Sequence, residues 1–136
     1  MAVEFDFQVD IRDAILAHPD IFDWGVQVYD FGPSQDDGSQ IYPYVYVGAA
    51  DFGEFDTDTT TGFDVALRVH TYSNTGSAKE TKLIQGAVYQ SLHLKPLAVY
   101  GYQTILMRRT GSFVDQTSSG AFHGVCDYSA LLTKIA

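Results

Sequence analysis

The sequence predicts an α+β fold, an antiparallel β-sheet with two helices packed on one face. Three features carry this expectation. The stretches PYVYVGA, from Pro43, and FDVALRVHTYS, from Phe63, each alternate with the period of two that marks a strand. They run directly into a long amphipathic helix pattern, SAKETKLIQGAVYQSLH. Strands grouped in succession, rather than alternating with helices, favour antiparallel pairing with the helices gathered on one face. At 136 residues and 46% hydrophobic composition, residues 1–136 are the size of a single domain, one able to bury roughly two-thirds of its unfolded surface.

Near the N-terminus, Phe7, Ile11, Ala14, Ile15 and His18 fall on one helical face, and Pro19 is expected to stop that helix at about His18. Val26 to Phe31 alternates briefly as a short strand. GPSQDDGSQ, Gly32 to Gln40, is a turn-rich polar loop. Tyr44 to Ala49 reads as a central strand, with Pro43 at its start, where a missing N–H does least harm. Asp51 to Gly62 carries Asp51, Glu54, Asp56 and Asp58 among threonines and reads as a solvated hairpin connection. In the next strand Phe63, Val65, Leu67, Val69 and Thr71 alternate with Asp64, Ala66, Arg68, His70 and Tyr72, giving one core face and one wet or shared face. Ser77 is the expected N-cap of the following helix, with Glu80 completing a capping box. Ile84, Ala87, Val88, Ser91 and Leu92 form the helix's apolar stripe, with Leu83 at its flank. Tyr102 to Arg109 and Ala121 to Ile135 close the chain as a strand pair, joined by a hairpin connection, TGSFVDQTSSG, that contains Phe113.

The net charge of −9, from 17 acidic residues against 8 Lys plus Arg, disfavours nucleic-acid backbones and anionic membranes as partners. Only Arg108 and Arg109 are adjacent basic residues, too few for a nucleic-acid footprint. No apolar run approaches the roughly 20 residues of a membrane span. MAVEFDFQVD is acidic where a signal peptide would be basic and then apolar. Cys126 stands alone and cannot form an internal disulfide. These features point to a reducing cytoplasm, or to something assembled there.

Motifs for chemistry are weak. Asp56, Asp58 and Thr60 begin like a calcium loop, but Thr61 replaces the required glycine and Leu67 stands where the bidentate glutamate belongs. His123 and Cys126 form an isolated H-x-x-C, short of a four-ligand zinc site. There is no G-x-S-x-G, and His18, His70, His93 and His123 are scattered. TGSAKET lacks phosphate-loop spacing, and Asp36 and Asp37 lie where nothing would desolvate them. No catalytic residue, cofactor or metal is expected. The positive signal is the sheet face away from the helices, where Tyr44, Tyr46, Arg68, His70 and Tyr72 mix aromatics with arginine as interfaces do.

The whole succession resembles the tail-completion, or tail-terminator, proteins of long-tailed bacteriophages and gene transfer agents. The features that carry the resemblance are a helix closing on HPDI, then PYVYVG, TTTGFDVALRVHTYS, the helix SAKETKLIQGAVYQSLH and a last strand pair that includes FHGVCDYSALLTK. Thr59 or Thr60 stands where the family's pattern has a basic residue. The resemblance implies a structural virion protein that forms a ring, commonly a homohexamer, at the end of the tail tube. Such a ring stops tube polymerisation and offers a surface to head-completion and neck proteins. Its partners would be itself, the tail tube protein and the neck proteins, with DNA passing through the lumen without specific binding. Its setting would be the virion, assembled in the bacterial cytoplasm, with no membrane involved and no reaction or cofactor. Tyr44, Tyr46, Arg68, His70 and Tyr72, together with Asp56, Asp58 and Phe113 from the two long connections, are the residues expected at subunit or partner contacts. Two alternatives remain open on the residues alone. One is another head-tail connector or head-closure component; the other is a small ligand-binding or enzymatic domain with a deep pocket at Arg68 and His70.

Overall fold

The computed structural model describes residues 3–29, 42–48, 50–54, 56, 61–95, 97, 99, 101–118 and 120–135, with backbone alone at 105 and 106. Among these residues, three helices and six strands follow in the order α1 (Val3–Leu16), α2 (Pro19–Asp23), β1 (Gln27–Tyr29), β2 (Tyr44–Val47), β3 (Asp51–Glu54), β4 (Gly62–Ser73), α3 (Ala78–Leu92), β5 (Tyr102–Gln116) and β6 (Phe122–Lys134). The strands form one sheet in the order β1-β2-β4-β6-β5, with β3 paired to β4. The predicted α+β class holds, with the helices packed over one face of the sheet.

The core lies where the sequence pattern puts it. Phe7, Ile11 and Ile15 of α1 and Ile84, Ala87, Val88 and Leu92 of α3 are buried against Val45, Val47, Val65, Leu67 and Val69. The partner strand β6 adds Cys126, Tyr128, Ala130 and Leu132 to the same layer. Each such aliphatic or aromatic side chain contributes about 1.5–3 kcal/mol on burial. Thr71 and Ser73 carry the inward face of β4 beyond its apolar stretch, where the Ser73 and Thr81 hydroxyls bond at 2.9 Å.

Several boundaries differ from expectation. Pro19 ends α1 but also starts α2, for which His18 is the N-cap and accepts from the Asp20 N–H at 3.1 Å. A proline at the first helical position loses no intrahelical bond, so the chain turns a corner there. The sheet is mixed, because β1 runs parallel to β2 while every other pair is antiparallel. Fourteen residues separate the two strands, enough chain for the return that parallel pairing requires.

Asp51–Glu54 is a strand and not a solvated connection. β4, at 12 residues, outruns the four of β2, and β3 pairs with its remaining half while Phe52 packs between Phe7 and Phe63. Likewise β5 continues past Arg109 to Gln116. A register shift between Arg109 and Gly111 lets it keep pairing with β6, and Phe113 therefore lies on a strand. The Ser77 capping box is half formed. The Ser77 hydroxyl accepts from the Lys79 N–H at 3.4 Å, whereas Glu80 Oε1 is buried with no hydrogen-bond partner among the described residues. The loop Gly32–Gln40, with Asp36 and Asp37, lies outside the described residues, as do Asp58, Thr59 and Thr60.

Candidate functional site

Among the described residues no helix lies on the second face of the sheet, and strand register decides what stands on it. Alternation puts Tyr44 and Tyr46 of β2 beside Arg68, His70 and Tyr72 of β4. Two rows then cross the sheet: Tyr44, Tyr72, His123 and Asp115 in one, Tyr46, His70, Val125 and Phe113 in the next. Arg68 and Asp127 face each other one step further on. The five sheet residues expected on this face are thus brought together, and Phe113 joins them from β5.

The rings pack on one another rather than standing free. Tyr72 lies nearly parallel to His123, with centroids 4.4 Å apart, and to Tyr44 at 4.9 Å. Tyr46 stacks on His70 at 4.9 Å. Tyr29 and Tyr42 close on Tyr44 from the sides, leaving it 2% exposed. Tyr44 supports the surface from beneath, while Arg68 and Phe113 are exposed.

His70 Nδ1 and His123 Nε2 lie 2.8 Å apart, close enough for an N–H of one ring to donate to the other. Burial, then His123, then Arg68 hold the His70 pKa down to about 4. Burial lowers that of His123 as well. At neutral pH the pair is therefore uncharged. Burial among its tyrosine neighbours pushes Tyr44 up to about 12. Arg68 binds Asp127 through Nε at 2.9 Å and Nη2 at 3.3 Å, a two-pronged pair that cancels its own charge. The result is an aromatic plate crossed by one internally compensated ion pair, with the Asp115 carboxylate at its β5 end.

Asp56 is elsewhere. Its carboxylate accepts from the Gly62 N–H at 3.3 Å and ties off the approach to β4, at the end of that strand far from Tyr72. His123 and Cys126 point to opposite faces of β6, and burial pushes up the Cys126 thiol. Cavities among the described residues include one of about 310 Å³ at Trp24, Pro43, Glu80 and Leu83 and one of about 510 Å³ between α3 and β5. Neither is lined by Tyr44, Tyr46, Arg68, His70 or Tyr72, so the deep pocket that a ligand-binding reading expects at Arg68 and His70 is not where either cavity lies. His123, Asp127, Tyr29 and Tyr42 belong to the plate and were not anticipated. The alternation His123, Val125, Asp127 in the last strand is the signal that held two of them.

The sheet thus has one face buried by α1 and α3 and the other laid out as an aromatic plate. Residues 9–133 match the model of the family described as tail completion protein gp17. The chain belongs to that family of phage tail-completion proteins and has a structural role in a phage-type tail. Among solved structures its fold is similar to a chain of the virion of a native gene transfer agent particle. The TM-score is 0.79 at 15% identity, covering 93% of each chain. A comparison with curated proteins found no match. No helix among the described residues is long and apolar enough to cross a membrane.

Proposed function

We propose that this protein is a tail terminator: copies close into a ring, commonly of six, on the end of the tail tube, where they stop its polymerisation and present a surface to head-side neck proteins. The observation that carries this reading is the aromatic plate, which the helices among the described residues leave uncovered. Within the plate, Tyr46, Arg68, His70, Tyr72 and Phe113 contact a neighbour, and Tyr44 stiffens them from below. Asp56 and Asp58 lie in the connection before β4, whose polar composition suits contacts made late in assembly. The tail tube protein and the head-completion proteins are the other partners. DNA passes through the lumen without specific binding, as suits a chain of net charge −9. The protein acts in the virion after assembly in the bacterial cytoplasm and carries out no reaction.

The test has two arms. The mass of the purified protein in solution is expected to be that of a closed ring, and particles made without it are expected to carry tails of uncontrolled length. A monomer that never adds to tube ends, with tails of normal length in its absence, would overturn the reading.

A further inference from the structure

The charge of this chain is sharply divided along its length. Residues 1–67 hold 14 of the 17 acidic residues and only Arg12 of the basic ones, a net charge of −13. Residues 68–136 hold 3 acidic and 7 basic residues, a net charge of +4. The topology places part of this division at the sheet's edges. β1, β2 and β3 lie to one side of β4, and β6 and β5 lie to the other. Asp51 and Glu54 thus stand on the β3 side, and Arg108 and Arg109 of β5, with Lys82 of α3 beside them, stand on the other.

Among the described residues, β3 pairs only with β4, and β5 only with β6, so each side of the sheet presents a strand edge. The first half of β5 is partly covered, since the Leu94 N–H donates to the Met107 carbonyl at 2.7 Å and the Arg109 N–H donates to His93 Nδ1 at 3.2 Å. Along Gly111–Gln116, and along Asp51–Glu54 of β3, no further backbone-to-backbone bond is found among the described residues, and the Phe113 carbonyl accepts from the Gln85 side chain at 3.2 Å.

We infer that the β3 edge of one copy pairs with the Gly111–Gln116 edge of β5 in the next, so that the sheets join across the subunit boundary. This deepens the ring reading and rests on it. The two sides of the joined sheet match in charge. On the helix side, Glu54, which is in register with inward-facing Phe63, meets Lys82 and Arg109. Those two basic residues line the 510 Å³ cavity beside β5 together with Ser112 and Asp115. Arg109 is held there over the Tyr89 ring at 4.4 Å. On the open side, with the two strands running parallel and Glu54 beside Ser112, Asp51 and Asp64 lie toward Arg108, which precedes the free edge and is in register with Ser129. Asp115 is the one acidic residue on the receiving strand.

Charge also selects the symmetry. Two β3 edges brought together would set Asp51 and Glu54 against their own copies, and like charges placed opposite each other are destabilising. Two unlike edges attract. An interface between two different surfaces of one chain is head-to-tail, the type that closes into rings.

The test uses the full chain. An acidic-edge variant (D51K with E54K) and a basic-edge variant (K82E with R108E) are each expected to weaken ring formation by roughly tenfold or more, with recovery when all four substitutions are combined. Separately, E54C with S112C is expected to give disulfide-linked oligomers under mild oxidation, while the wild-type chain, whose only thiol is buried, gives none. Circular dichroism establishes that each variant is folded. Rings that form normally in both charge variants, with no cross-link, would overturn the edge pairing and leave the ring reading standing. A wild-type chain that forms no ring at any concentration would overturn both.

Discussion

Gly124→Ala tests how α3 is seated on the sheet, and its cost can be worked from the contacts. Helix α3 crosses β6 where Gly124 has no side chain. A methyl group there would lie 2.5 Å from Gln85 Nε2, 2.7 Å from Thr81 Cγ2 and 3.0 Å from Gln85 Cδ. Neither neighbour is free to swing aside. Gln85 is 6% exposed and donates to the Phe113 carbonyl at 3.2 Å; Thr81 is fully buried and bonds Ser73. Overpacking costs about 1–3 kcal/mol, and loss of one buried hydrogen bond adds about 1 kcal/mol. The variant should therefore lose roughly 2–4 kcal/mol, a large part of the ~5–15 kcal/mol typical of a domain.

Urea denaturation followed by far-ultraviolet circular dichroism measures this directly. With a slope of about 1–3 kcal/mol per molar, the midpoint should fall by roughly 1–2 M. Gly86→Ala supplies the control in the same helix. No atom lies within 4 Å of its added methyl, so it should gain about 0.5–1 kcal/mol from helix propensity alone. An unchanged or raised midpoint for Gly124→Ala would show that α3 does not pack on β6 at this point.

Val69→Asp places an unpaired charge at a site 1% exposed and should abolish cooperative unfolding, seen as loss of the sigmoidal melt. Leu94 holds a φ of 56° just past the end of α3 while 61% exposed, so Leu94→Gly should stabilise by about 1 kcal/mol in the same urea assay. His70 and His123 both have lowered folded-state pKa values, so below pH ~6.5 the unfolded chain binds protons that the folded one refuses. Their contribution is full above pH ~6.5 and is lost as the pH falls toward about 4; half-exposure and the opposing charges of Asp127 and Asp115 limit it to about 1–2 kcal/mol. Thermal melts from pH 7.5 to 4 should drop more steeply for the wild-type protein than for His70→Phe, and equal slopes would refute the coupling.

How much was legible depended on how far the information was local. The inward stripe of β4, the α3 stripe and the Ser77 cap were readable because alternation, helical period and capping are set by neighbours in sequence. Tyr44, Tyr46, Arg68, His70 and Tyr72 were readable as one face for the same reason. His123 and Asp127 were not, because their place beside Tyr72 and Arg68 depends on the register of β6 against β4, a pairing across more than 50 residues. β3 was hidden by its acidic composition, and the far half of β5 by the Gly, Ser and Thr that look like a turn. In both cases a long neighbouring strand supplied hydrogen bonds that outweighed weak local preference.

Structure also revises what single substitutions on the plate can report. From alternation alone, Tyr72→Ala looks like a surface change that would leave the fold intact and weaken assembly. In fact Tyr72 stacks on Tyr44 and His123, so its removal loosens the sheet as well. That internal packing bears on assembly. Rings already ordered by stacking lose little side-chain freedom on contact. Two neutral histidines bring no ionic desolvation cost, and an arginine already satisfied by Asp127 brings less than a lone one. A plate arranged this way can be covered by a neighbour at low cost, yet it offers few charges to dictate orientation. Orientation must then come from elsewhere on the chain, and Asp51 and Glu54 on β3, with Lys82, Arg108 and Arg109 beside β5, are the charges placed to supply it.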